Sequence, residues 1–120
     1  REAIAVVSWL AIAGTVGAYA IFLAVTAAVA LRYVTGTVDA PTALSMAIVV
    51  AAIGAGATPL GVQPMLVLGV AVLADVGVVR AVGHHPWRRA GAVVIIHVVV
   101  SILVGTVGFG LLALVANAPL

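Results

Sequence analysis

No charged side chain occurs between Ile4 and Leu31. A bilayer's hydrocarbon core is about 30 Å thick and takes about 20 apolar residues as a helix, so this stretch alone is long enough to cross it. The rest of the chain offers little with which to cover such a segment in water. Residues of the AVILMFWYC set make up 66% of the chain and charged residues 7%, against about 45–50% and 25% in a soluble domain. A compact ball of this composition would expose large apolar patches. A soluble enzyme, a disordered region and a nucleic-acid binder are therefore excluded, and an integral membrane protein remains. The formal charge of +2 comes from too few groups to imply nucleic acid. With no cysteine there is no disulfide, thiolate metal site or thiol nucleophile.

Polar and turn-forming residues divide the chain into four apolar runs, at about residues 4–34, 42–57, 65–82 and 90–116, within a single transmembrane domain 1–120. The dividers are Arg32-Tyr33 with the segment to Pro41, then Pro59, Gly61 and Pro64, and then His84-His85-Pro86-Trp87-Arg88-Arg89. Unpaired backbone groups are not tolerated in lipid, so the runs are predicted to be helices. The expected fold is an all-α integral membrane four-helix transmembrane bundle. No internal repeat relates its halves.

The charges then set an orientation. With four spans, Arg32 and the group Arg80, Arg88 and Arg89 fall on the same side, and only Arg1 on the other. The positive-inside rule places the arginine-rich loops in the cytoplasm and both termini on the non-cytoplasmic side, in an inner (plasma) membrane. Tyr33 and Trp87 then lie at the cytoplasmic interface and Trp9 near the opposite one, as amphipathic rings favour. Arg32, Arg80, Arg88, Arg89 and Trp87 are expected anchors at the anionic lipid surface, each basic residue contributing about 1 kcal/mol of attraction.

Helices in lipid associate through close packing of small residues. Such ridges occur at Ala43-Ala47-Ala51-Ala55, Ala13-Gly17, Gly14-Ala18 and Ala20-Ala24-Ala28, with Gly77, Ala81, Ser101 and Gly105 on the later runs. They serve contacts within the bundle or docking onto another subunit. Four short helices bury little, so the expected partners, besides the bilayer, are other membrane subunits or further copies of the chain; nucleic acid is not expected.

Ionisable groups inside a bilayer are rare and costly, and each is a functional-site hypothesis. Two lie deep, Asp75 in the third run and His97 in the fourth. Each is about ten or eleven residues from the turn at His85-Pro86, about 15 Å at 1.5 Å per residue, so antiparallel neighbours place them at one depth. His97 shares an i, i+4 ridge with Ser101 and Gly105, and Asp75 shares one with Ala71, so both are expected to point inward. Asp75, His97 and Ser101 thus form either a polar clamp or a proton or ion relay. Arg80 competes as a partner for Asp75, as does a residue of another chain. A self-contained haem needs a second deep histidine that the chain lacks, and His84-His85 has no third ligand nearby, so no cofactor or metal is expected. No nucleophile elbow, phosphate loop or paired carboxylates occur, so catalysis is not expected.

Leu31-Arg32, Gly36-Thr37, Ala43-Leu44 and Val78-Val79-Arg80 give residues 21–82 a weak similarity to the small three-helix F-type subunit of multisubunit cation/proton antiporters. That family has an Asp-Arg pair in its first cytoplasmic loop and an acid opening its second helix. Here the loop reads Val38-Asp39-Ala40-Pro41-Thr42 and Ser45 stands at the acid's place, and the fourth run has no counterpart. The resemblance implies a transport setting without assigning the chain to the family. The leading expectation is a small non-catalytic subunit of a larger membrane complex in transport or energy coupling. The alternatives are a self-assembling ion or small-solute transporter or channel using Asp75 and His97, and a structural or lipid-organising membrane protein.

Overall fold

The computed structural model describes residues 2–119, which form four α-helices: α1 Glu2–Thr35, α2 Ala40–Leu60, α3 Pro64–Ala81 and α4 Trp87–Ala116. All four are long and apolar enough to cross a membrane. Each helix packs on its neighbours in sequence, and α4 closes back onto α1. The helices therefore stand in a ring, with α1 facing α3, and α2 facing α4, across the centre.

The turns follow from local chemistry. Gly36 (φ 81°) and Gly61 (φ 65°) end α1 and α2 in the left-handed region, where a residue without a Cβ is unstrained. Pro41 sits in the first turn of α2 and Pro64 in that of α3, where the missing N–H would have had no helical partner. Pro86 caps α4 with extended backbone. That cap starts the helix at Trp87 rather than Ala90 and draws Arg88 and Arg89 into its first turn.

The expected end of α2 at Ala57 is corrected to Leu60. Pro59 lies in the last turn, where it removes only one ladder bond. Thr58 Oγ1 donates to the Gly54 carbonyl at 2.8 Å, and the N–H groups of Gly61 and Val62 close onto Thr58 and Ala57. The break between α2 and α3 is thus confined to Gly61–Gln63.

Packing is concentrated at the arginine-rich end. Ala27, Ala30 and Leu31 of α1 meet Ala43 and Met46 of α2, Val79 of α3 and Ala90, Val93 and Val94 of α4. The α2 ridge is buried at Ala43, Ala47 and Ala51, but Ala55 is exposed. The two turns at this end lock together. A Cβ on Gly83 would lie 2.8 Å from the Val79 carbonyl oxygen and 3.1 Å from Thr42 Oγ1. Thr42, fully buried, donates to Asp39 Oδ2 at 2.5 Å.

Several small-residue faces read as packing surfaces are not buried within the chain. Ala13, Gly14, Gly17, Ala18, Gly77 and Ala81 are all exposed. For Ala13 and Gly14 the reason is length, whereas Gly77 and Ala81 lie on a face of α3 turned away from the bundle. Helices α1 and α4 have 34 and 30 residues, against 21 and 18 in α2 and α3. The N-terminal part of α1 and the C-terminal part of α4 therefore extend past the α2–α3 turn, and residues 2–15 are exposed without exception.

Candidate functional site

The sealed end gives way at mid-depth to a polar cluster held by three helices. Asp75 of α3 and His97 of α4 are buried, with Asp75 Oδ2 3.0 Å from His97 Nδ1. On its other side His97 Nε2 lies 3.0 Å from Thr26 Oγ1 of α1. Ser101, one turn along α4, donates to Thr26 Oγ1 at 3.2 Å. Thr26 Oγ1 is also 3.1 Å from the Leu23 carbonyl. A continuous chain Asp75–His97–Thr26–Ser101 results, walled by Val79, Val93 and Val94 below it.

Helical spacing explains the arrangement. Asp75 and Val79 are the buried i, i+4 pair of α3, and Val93, Val94 and His97 are the buried i, i+1, i+4 set of α4. Leu23, Thr26, Ala27, Ala30 and Leu31 form the inner stripe of α1. Each polar group thus lies on a stripe that packing already turns inward.

Proton accounting gives the chain two settings. A threonine hydroxyl has one proton and can accept two hydrogen bonds. With neutral His97 donating from Nδ1 to a carboxylate, Nε2 accepts and Thr26 gives it the proton. With one more proton on the pair, Nε2–H donates to Thr26, which turns its own proton to the Leu23 carbonyl. Both Thr26 acceptors are within reach, so both settings fit the same heavy-atom positions.

Asp75 Oδ1 has no such partner. It is buried and makes no hydrogen bond. Beside it the four helices leave a half-open cavity of about 370 Å³. Pro64, Val67, Leu68, Ala71, Val72 and Asp75 form one continuous stripe of α3 along it. From Asp75 to Pro64 the stripe runs about 16 Å at 1.5 Å per residue, to the α2–α3 end. Tyr19, Leu23, Val50, Gly54, His97, Val98, Ser101 and Ile102 complete the wall.

Arg80 is not the partner of Asp75. Its guanidinium lies over the Trp87 ring, 5.0 Å from the centroid, and donates to the His85 carbonyl at 3.3 Å. The fifth residue along a helix sits about 140° around the axis from Asp75, and the stacking partner lies on the far side. Arg32 donates to the Gly36 carbonyl at 2.9 Å, while Arg88, Arg89 and Trp87 are exposed. Arg32, Arg80, Arg88 and Arg89 therefore gather at the sealed end. His84 and His85 lie in the turn, His84 with φ 56°. Among the described residues no group of three or more His, Asp and Glu side chains could hold a metal ion.

Thr26 escaped the sequence reading, although a signal was present. It lies about eleven residues, about 16 Å, before the α1–α2 turn, the same depth as Asp75 and His97 from theirs. Threonine is common in helices crossing lipid, where it bonds its own carbonyls, as Thr15 does to Ala11. Only the neighbouring helix distinguishes the two.

Fold and site define the class: a small four-helix membrane protein with a buried carboxylate–imidazole–hydroxyl chain at the floor of a central cavity. A family model, described as a family of unknown function (DUF7473), matches residues 6–119, and the chain belongs to that family. No curated protein and no solved structure matches it.

Proposed function

We propose that the protein is a proton-coupled membrane transport component. In this reading it sits in the inner (plasma) membrane with the arginine-rich end in the cytoplasm and both termini outside. The Asp75–His97 pair takes up and gives up a proton at the floor of the cavity, and Thr26 rotates its hydroxyl to follow. The observation that carries the proposal is the unpartnered, buried Oδ1 of Asp75. Buried polar groups are hydrogen-bonded almost without exception. A pair serving only to clamp α3 to α4 would gain by satisfying both oxygens. A carboxylate left half-satisfied beside a cavity suits a proton or ligand that comes and goes.

The test is infrared difference spectroscopy of the protein in lipid between pH 5 and pH 9, with proton flux measured in vesicles of the same preparation. Carboxyl and imidazole bands that change with pH, and a flux abolished by Asp75→Asn in a bundle that still melts cooperatively, are expected. Bands that do not change with pH in the intact bundle would overturn the reading. Orientation is checked separately: a cysteine at Val38 should be shielded from an impermeant thiol reagent in intact cells, and one at Leu60 labelled. Gly83 is unsuitable for this because any side chain there collides with the Val79 carbonyl.

A second reading, a small subunit of a larger membrane complex, rests on a different observation. At 34 residues, α1 is about 51 Å long against a bilayer core of about 30 Å. Its exposed apolar arm, and that of α4, exceed what one bilayer thickness covers. Gently solubilised material that carries other chains supports this reading; material containing this chain alone counts against it.

A further inference from the structure

We propose that the central cavity is a binding site for a lipophilic ammonium ion, an amine on an apolar body, taken up in exchange for the proton of the Asp75–His97 pair. This rests on the proton-coupled reading and names its substrate class.

The wall selects the ligand by chemistry. Leu23, Val50, Leu68, Val72, Val98 and Ile102 offer only apolar contacts. A sugar or another polyhydroxylated solute would leave most of its polar groups unpaired against such a lining. An anion would be repelled by the carboxylate. Calcium or magnesium needs about six oxygen ligands, against the Asp75 carboxylate, Ser101 and half-exposed Tyr19 here, and zinc would need a third His, Asp or Glu beside Asp75 and His97 that the described residues do not provide. What fits is a single cationic N–H donor on an apolar remainder. The donor meets Asp75 Oδ1, the one buried side-chain acceptor without a partner among the described residues. At about 370 Å³ the cavity falls at the small end of ligand sites, about 300–1,000 Å³.

Charge balance explains the exchange. Net buried charge is costly in a membrane. Without ligand, the pair holds its extra proton and is neutral overall. When the ammonium enters, that proton leaves, His97 becomes neutral with its Nδ1–H on Asp75, and the ammonium compensates the carboxylate. One cation enters and one proton departs, so the buried charge stays at zero. Around the pair, α1 contributes Thr26 and Tyr19, α4 contributes Ser101, and α2 presents no titratable or charged lining group. Arg32, Arg80, Arg88 and Arg89 lie at the sealed end, Arg80 turned to Trp87, and do not pair with Asp75.

The test uses 2-phenylethylammonium, with 2-phenylethanol as its neutral counterpart, titrated calorimetrically into the protein in lipid nanodiscs. Repeating it in buffers of different ionisation heat counts released protons. Saturable amine binding, one proton released per amine, and affinity rising with pH by up to about tenfold per unit are expected; the alcohol should show only partitioning into lipid. Asp75→Asn should lower amine affinity at least tenfold. If that variant melts early, Gly54→Leu decides: a Cβ at Gly54 meets open space, and a leucine there narrows the cavity from α2, a helix that gives no group to the pair, so affinity should again fall tenfold. Amine and alcohol behaving alike, or both variants binding the amine as the unaltered protein does, would overturn the assignment. If the infrared bands of the pair respond to pH yet the amine releases no proton, the ligand assignment fails and the proton reading stands. If Asp75-dependent amine binding occurs with no proton released and no pH-sensitive bands, the proton reading fails instead.

Discussion

The two ends of the bundle are built on different principles. At the arginine-rich end, alanines, Leu31, Met46 and Val79 close the ring completely, and two tight turns interlock through Gly83 and Thr42. At the α2–α3 end the same helices stand apart around a cavity, and the arms of α1 and α4 continue past the shorter pair with every residue of 2–15 exposed. Lipid tails are as apolar as leucine, so only close packing and interhelical hydrogen bonds hold such helices together. Stability is therefore concentrated at the sealed end. The open end, with little packing to lose, is free to admit a ligand or a partner. The polar chain lies at the boundary, where the seal ends and the cavity begins.

This contrast can be broken most directly in the sealed half. Leu31→Ala removes a fully buried side chain from the tightest cluster and should cost about 2 kcal/mol or more, read as a fall in melting temperature in detergent. Leu112→Ala, on the exposed α4 arm, should change stability by about 0.5 kcal/mol or less. Equal losses at the two sites would contradict a division into packed and open halves.

At the boundary, Asp75→Ala or His97→Ala leaves its partner buried and unpaired, with an expected loss of about 1–3 kcal/mol. The double variant should recover part of it, with a coupling of about 0.6–1.7 kcal/mol as seen for hydrogen bonds between membrane helices. Additive losses would mean the 3.0 Å contact carries no energy.

Thr26→Val is gentler. It keeps the shape, removes the hydroxyl that serves both settings of His97 and leaves Nε2 without that partner, at an expected cost of about 1 kcal/mol. Its signature is an altered pH profile of proton exchange in a bundle that still melts cooperatively. A profile identical to that of the unaltered protein would remove Thr26 from the proposed relay.

The smallest effect is expected in the arms. A Cβ at Gly14 or Gly17 meets nothing within the chain, so Gly14→Leu should leave the melting of the isolated chain unchanged. If a neighbouring subunit covers this face, the same change should release that subunit, seen as a drop in assembly mass.

The four helices, their membrane-spanning length and the common depth of Asp75 and His97 were legible in the residues alone. The reason is that lipid leaves a backbone only one way to pair its hydrogen bonds, and a fixed rise of about 1.5 Å per residue converts sequence position into depth. Tertiary structure decided which faces meet. Small-residue ridges occur all along α1 and α2, but only those where the helices approach closely are buried, so Ala43, Ala47 and Ala51 pack while Gly14, Gly17 and Ala55, toward the end where the helices diverge, do not. It also decided that Arg80 turns to Trp87 and that Thr26, one unremarkable threonine of α1, completes the polar chain. Those outcomes depend on the rotation of each helix about its axis, and that rotation is fixed only when neighbouring side chains interlock.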